Sequence, residues 1–476
     1  MDWYKPSVGS FFALVMGIAL VTAPPLANVT LAAGARHASH NSNTQLSLPQ
    51  VVAIAVARNL RMADSRLAVR EREHQRREAF SDFFPSINLQ YVATADKYMN
   101  SGFIGELSGQ QNARWTTRGN PFGGAGAGLF PLYPYRIDPF RNFALTATMT
   151  QPLFTGGKLL SDYKYAQLGV NYQAIQYDVD RQDLILDTTE AYYQLIQGEK
   201  ELQVADSAIR ALEAVRNQSV EFYKAGVVAK VDVLSTEGQL AQARVQKTQA
   251  LSDIEQAKAS LCFLLRYPQE APIKVVEDIA YRPNPYRIPE IYATAAGNRL
   301  EIRQANISVD QALALIRSAK GDLLPQVSVQ VQGTRLNDDW NPFDPEGVND
   351  WQLQGLFTWA FDMFRSRETV KERRATQARA FVAREQLVEQ VMEEVKLAYV
   401  DMKRSESDIA NNRASVDYNR ENFRINQERY KEQVATYIEV LDAQRQLSLA
   451  EGNYYTSLIG YRINQAVLER RMGILK

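Results

Sequence analysis

Phe143 to Lys158 reads FALTATMTQPLFTGGK, and two structural periods meet in it. In its first half Phe143, Leu145, Ala147 and Met149 alternate with Ala144, Thr146, Thr148 and Thr150. A period of two predicts a strand with one apolar face and one wet face. Gly156 and Gly157 then permit a sharp change of direction. Beyond them no proline occurs before Pro268. Taken as one helix, Lys158 to Lys224 would run ~100 Å at about 1.5 Å per residue, where an ordinary globular helix has roughly three turns.

The same alternation recurs three times, at Ile87, Leu89 and Tyr91, at Val327, Val329 and Val331, and at Trp351, Leu353, Phe357 and Trp359. The intervening positions are mostly Ser, Asn, Gln and Thr, uncharged amides and hydroxyls. That suits a strand wall with lipid outside and water inside. A soluble antiparallel sheet packed on helices gives the same alternation.

The chain is written twice. Leu48 to Ala93 recurs as Ile288 to Gly333 at a spacing of 240, with Pro49 and Pro289, Leu60 and Leu300, and Pro85 and Pro325 in register. Further on the spacing is 207, pairing Ala191-Tyr192 with Ala398-Tyr399 and Asp232-Val233-Leu234 with Glu439-Val440-Leu441. The difference of 33 residues (240 − 207) is an insertion in the first copy. It is met between Asp96 and Phe140, where GNPFGGAGAGLFPLYPY reads as an exposed loop. Each copy reads helix, strand, loop, strand, long helix, helix. The first copy, 36–285, is expected to hold strands at about 84–95 and 143–154, a long helix at about 158–224 and a helix at about 231–266. The second, 286–476, holds strands at about 325–335 and 350–361, a long helix at about 364–431 and a helix at about 438–470.

Along the first long helix Leu168, Tyr172, Ile175, Val179, Gln182, Leu186, Thr189, Tyr193 and Ile196 follow the alternating four and three spacing of a coiled-coil seam. The faces between are polar, so these helices are expected to bury narrow side seams and to form a wall one helix thick, wet on both sides. Four strands cannot close a barrel, which needs at least about eight. Unpaired strand edges in lipid cost several kcal/mol per backbone group. Either several chains pool their strands, most simply in a cyclic homo-oligomer, or the sheet does not lie in a membrane. A dimer gives a filled eight-strand bore; a trimer gives twelve strands and a lumen.

Other classes fall away. Lys and Arg total 54, and so do Asp and Glu, which lacks the basic excess of a nucleic-acid protein. One cysteine, Cys262, and three histidines offer neither a disulfide nor a zinc cluster. Val8 to Val21 (VGSFFALVMGIALV), followed by Ala33-Gly34-Ala35, reads as a secretory signal peptide over 1–35. Past it no apolar run reaches the ~18–20 residues of a membrane helix. The acid pairs Asp338-Asp339 and Glu393-Glu394 have no recurring base, nucleophile or metal partner beside them. Gly123 to Gly126 lacks the Lys-Ser/Thr of a phosphate loop. No enzyme activity, cofactor or metal site is expected. The Arg70–Glu78 and Arg365–Arg374 runs read as solvated helix faces.

With this layout the chain resembles the TolC family of outer-membrane efflux and secretion ducts. Leu48 to Met62 (LPQVVAIAVARNLRM), Phe84-Pro85-Ser86 and Gln151 to Lys158 (QPLFTGGK) are similar to its opening helix, its strand entry and its strand-to-helix turn. Phe222 to Leu234 (FYKAGVVAKVDVL) and Tyr430 to Asp442 (YKEQVATYIEVLD) are similar to its paired inner-tip turns. The resemblance implies a mainly α fold with a membrane β-barrel: a homotrimer with a twelve-strand barrel in the outer membrane and a twelve-helix tunnel across the periplasm. It implies a periplasmic adaptor and an inner-membrane transporter as partners. It also implies a periplasmic gate at Asp232, Glu439 and Asp442, with Tyr430 and Lys431 bridging to Asp232 of the neighbouring helix pair. In a trimer Glu439 and Asp442 would each form a ring of three carboxylates that draws cations into the constriction. The plainer reading of these acids is helix capping. The tip turns Gly226, Val227 and Val228 and Gln433, Val434 and Ala435 are the expected adaptor contacts. Gln433 departs from Gly226 and from the glycine usual in the family, which leaves the shape of the second turn open.

The expected function is a passive outer-membrane exit duct of a tripartite efflux system, opened on docking to adaptor and pump. An outer-membrane component of type I protein secretion is the alternative, and a periplasmic coiled-coil scaffold or adaptor is the second.

Overall fold

A computed structural model describes residues 45–96, 140–284, 286–337, 340–341, 347–360 and 362–475. The expected signal peptide, the loop between Asp96 and Phe140 and the pair Asp338-Asp339 lie outside the described residues. Helices α1 (Leu48–Arg58) and α2 (Leu60–Ser81) precede strands β1 (Ser86–Asp96) and β2 (Phe140–Phe154). Helices α3 (Lys158–Lys224) and α4 (Lys230–Leu265) complete the first copy. The second copy repeats the order with α5 (Ile288–Asn298), α6 (Leu300–Gly321), β3 (Gln326–Asn337), β4 (Val348–Thr358), α7 (Met363–Lys431) and α8 (Tyr437–Arg471). No described helix is long and apolar enough to cross a membrane.

Two compact units cut across both copies. One joins Phe80–Leu159 to Lys320–Ser366 and holds the sheet; the other joins Leu160–Ala319, Arg367–Lys476 and the segment ending at Ala79.

In the sheet unit four antiparallel strands lie in the order β1-β2-β3-β4. Register aligns the apolar positions across all four. Leu89 lies opposite Ala147, Ala147 opposite Gly333, and Gly333 opposite Trp351. One row on, Met149 faces Val331 and Val331 faces Leu353. The alternate row joins Gln90, Thr146, Thr334 and Asp350. One face is thus apolar and open: Trp351 and Phe357 are each 66% exposed, and Leu89 and Leu353 are exposed beside them. Among the described residues the outer strands β1 and β4 each have a partner on one side only.

β2 enters α3 through a shift of register between Pro152 and Phe154, then through Gly156 (φ 62°) and Gly157 (φ 81°). These are left-handed values that side chains with a Cβ resist. Gly156 is also sterically obligatory, because a Cβ there would stand 2.6 Å from the Gly321 carbonyl oxygen and 2.8 Å from Leu324 Cβ. Lys158 Nζ reaches Asp322 at 2.8 Å across the same turn.

In the helical unit α3 is not merely seamed. Of the sequence seam, Leu168, Val179, Thr189, Tyr193 and Ile196 are buried, but so are the off-seam Leu184, Ile185, Thr188, Tyr192 and Leu195. Around its middle α3 is enclosed by α1 (Val51, Ala55), α4 (Leu261, Leu265) and the linker residues Ile273 and Val275. The expectation of narrow seams alone is corrected here: neighbours cover the helix on several sides.

A strap from Val275 to Arg282 accounts for part of this cover. The Tyr192 hydroxyl of α3 donates to the Val276 carbonyl, and Tyr461 of α8 to the Arg282 carbonyl at 2.9 Å. Lys200 pairs with Glu277 at 2.6 Å, and Arg462 with Asp278 at 3.3 Å. Tyr281 donates to Glu406 of α7 at 2.6 Å. Nearby, buried Arg470 meets Asp183 at 2.7 Å and Glu301 at 2.8 Å, and buried Arg299 meets Glu394 at 2.8 Å. Burial pushes the Glu301 carboxyl up, but Arg299 and Arg470 outweigh it and hold it below the usual range.

Candidate functional site: the paired tip turns

The expected gate and tip residues gather where α3 turns into α4 and α7 into α8. The two turns share one hydrogen-bond scheme. Val227 N–H donates to the Phe222 carbonyl at 2.9 Å and Gly226 N–H to that of Tyr223 at 2.9 Å. In the second copy Val434 N–H donates to Arg429 at 2.8 Å and Gln433 N–H to Tyr430 at 3.1 Å. This six-to-one and five-to-two pattern is the Schellman termination, which requires a left-handed residue. Gly226 supplies it at φ 75°, and Gln433 adopts it at φ 63° despite its Cβ. The second turn therefore keeps the shape of the first and holds the strain locally.

Asp232 and Glu439 occupy the same third position of their helices, α4 and α8. Their settings differ. Thr436 caps α8, accepting from Glu439 N–H at 3.4 Å, while Glu439 accepts from Thr436 N–H at 3.2 Å. That reciprocal pair is a capping box. The Thr436 amide and hydroxyl, with Arg429 at 3.6 Å, hold the Glu439 carboxyl below the usual range. At α4 the capping position is Ala229, which offers no side-chain bond. Sequence reading did not single out Thr436, although T-x-x-E is a legible capping signal.

Tyr430 is 3% exposed, packed with Val215 and Val440 and set edge-on to Phe222 with ring centroids 5.5 Å apart. Its hydroxyl lies 2.8 Å from that of Ser219 on α3. Burial raises its pKa, and Asp232 adds to the rise. Lys431 pairs with Glu428 at 3.0 Å and Asp442 with Arg445 at 2.6 Å, each within its own helix. Within one chain, then, Tyr430 is bonded to Ser219 and Lys431 to Glu428, and neither donates to Asp232. Ser219 and Arg429 were missed because nothing in their local pattern marks them. The end itself is apolar and open, with Val227, Val231, Val434 and Ile438 exposed. Val228 and Ala435 are half-buried behind them.

The profile of the outer membrane efflux protein family matches residues 51–265 and 291–473. Outer membrane protein TolC of Escherichia coli (strain K12) is 22% identical over 316 residues, 64% of either chain, so the match spans a little under two thirds of that relative. Among solved structures, the CmeC outer membrane channel of Campylobacter jejuni superposes with a TM-score of 0.72 at 16% identity, covering 90% of this chain and 85% of that one. The outer membrane protein VceC of Vibrio cholerae gives a TM-score of 0.71 at 14% identity, covering 90% and 96%. With both copies of the repeat matched, the chain belongs to the outer membrane efflux protein family.

Proposed function

We propose that the protein is the passive exit duct of a tripartite efflux system. It works as a homotrimer whose three sheets close a twelve-strand barrel and whose long helices form a twelve-helix periplasmic tunnel. The observation that carries this is the sheet: an open apolar face and two outer strands, β1 and β4, that among the described residues lack partners on one side. Such edges cannot remain unpaired in lipid. Three copies supply twelve strands and leave a lumen lined by the Gln and Thr row, whereas two would fill the bore.

The turns Gly226 to Val228 and Gln433 to Ala435 take a periplasmic adaptor. Asp232, Glu439 and Asp442, with Tyr430 and Lys431, form the gate, and an inner-membrane transporter supplies the energy. The capping box at Glu439 is compatible with this, since its carboxylate is also exposed and can both cap and face a pore. The test is reconstitution. The detergent-solubilised protein should run as a heat-labile trimer, and a folded, monodisperse monomer refutes the shared barrel. In planar bilayers Glu439→Ala with Asp442→Ala should lower cation preference, read as the reversal potential across a salt gradient. An unchanged reversal potential with lowered thermal stability leaves those acids as caps only.

A further inference from the structure

Helix α6 is flanked on both sides within one chain. On one side Gln304, 6% exposed, donates to the Tyr172 carbonyl at 3.4 Å and to Gln176 at 2.9 Å, both on α3. Gln311, two turns on, lies against Gly169 of the same helix. On the other side Asn306 accepts from Arg384 of α7 at 2.6 Å. So α6 sits between the long helix of the preceding copy and that of its own. Over Arg61 to Ser65 its counterpart at a spacing of 240, α2, meets one long helix among the described residues. Arg61 pairs with Asp183 at 3.3 Å and Asp187 at 3.4 Å, and Ser65 donates to Asp180, all on α3, the long helix of its own copy.

The repeat fixes what belongs on the other side. Gln304 and Gln311 correspond to Asp64 and Glu71 on α2, and Gly169 and Tyr172 correspond to Thr376 and Arg379 on α7, at a spacing of 207. Asp64 and Arg379 are both exposed, and neither makes an ion pair among the described residues. We propose that the open side of α2 receives α7 of a second copy of this chain, with Asp64 paired to Arg379 of that copy and Glu71 set against its Thr376. Where the joint inside one chain is amide against glycine and backbone, the joint between copies is acid against base. That division has a physical reason. Halves of one chain are brought together by the chain itself, whereas separate copies need charge complementarity to favour the right register and penalise wrong ones.

This pairing rests on the trimeric reading above, and the experiment separates the two. Asp64→Cys and Arg379→Cys are made singly and together, and the assembled protein is treated with a short bismaleimide. The native Cys262 is fully buried and shielded from the reagent. The double variant should yield covalent dimer and trimer on a denaturing gel, and the single variants should yield neither. A heat-labile trimer that fails to cross-link overturns the pairing and leaves the trimer standing; wild-type protein that forms no trimer overturns the reading beneath it. Should the cysteine variant not assemble, charge reversal decides. Asp64→Arg and Arg379→Asp should each lower the temperature at which the trimer dissociates, and their combination should recover most of the loss. Losses that simply add overturn the pairing.

Discussion

Gln433→Gly should slow local opening at the second tip. Gln433 sits at φ 63° with its side chain exposed and, among the described residues, in no hydrogen bond that would offset the strain. A residue with a Cβ loses roughly 1–2 kcal/mol in the left-handed region, and glycine gives back about 0.4–1 kcal/mol through its freer unfolded chain. The net gain is about 1 kcal/mol, or roughly fivefold in the local opening equilibrium. Hydrogen exchange reads it directly at the Val434 and Ala435 amides, which both donate to the Arg429 carbonyl, at 2.8 and 3.2 Å. Their exchange should slow about fivefold. The mirror change, Gly226→Gln, should speed exchange at Val227 by a similar factor, because that turn has the same six-to-one and five-to-two pair. Unchanged or faster exchange in Gln433→Gly, or a harmless Gly226→Gln, would refute the strain argument and point to a compensating contact of the Gln433 side chain.

The caps should behave as a second mirrored pair: Thr436→Ala destabilises the start of α8 by about 1 kcal/mol and Ala229→Thr stabilises that of α4 by a similar amount, seen in exchange at the Glu439 and Asp232 amides. At the strand-to-helix turn Gly156→Ala should lower the melting temperature well beyond Gly157→Ala, since both meet left-handed strain but only the first drives a Cβ into Gly321 and Leu324. On the strap the hydrogen bond to Glu406 and the charge behind it push the Tyr281 hydroxyl up to about 12. Its folded value lies above the ordinary ~10, so the bond's contribution is present below pH ~10 and is lost as pH rises toward about 12. Tyr281→Phe and Glu406→Gln should each remove one tyrosine from the group titrating near 12 in tyrosinate absorbance, leaving Tyr192, which burial also raises to about 12.

What sequence alone made legible follows from which forces are local. The strand faces could be read because a period of two places Leu89, Ala147, Val331 and Trp351 on predictable sides, and their neutral polar neighbours distinguish the wet side. The tips could be located because Asp232 and Glu439 recur at one spacing, and a break between long helices must lie just before them. The bonds of Tyr430 could not, since its hydroxyl meets Ser219 across 211 positions of chain. Nor could the ion pairs of Arg299 and Arg470. On helices this rich in charge, a buried arginine looks like a solvated one until a second helix covers it. Glu394, read as half of an idle acid pair, takes both Arg299 and Arg471. The middle of α3 resisted for a related reason, because its enclosure depends on a linker with no periodicity of its own.

That linker grips the helices in part through its main chain. Tyr192 and Tyr461 donate to the carbonyls of Val276 and Arg282, and the Leu46 amide and carbonyl bond to Lys274 and Val276. A carbonyl is the same whatever side chain it carries. At Val276 and Arg282, therefore, sequence can drift while the length of the strap cannot: replacing either leaves the acceptor in position, whereas deleting a residue between them moves an acceptor out of reach of its tyrosine. Among relatives the tyrosines and the length of the strap should persist while the residues at Val276 and Arg282 are rewritten.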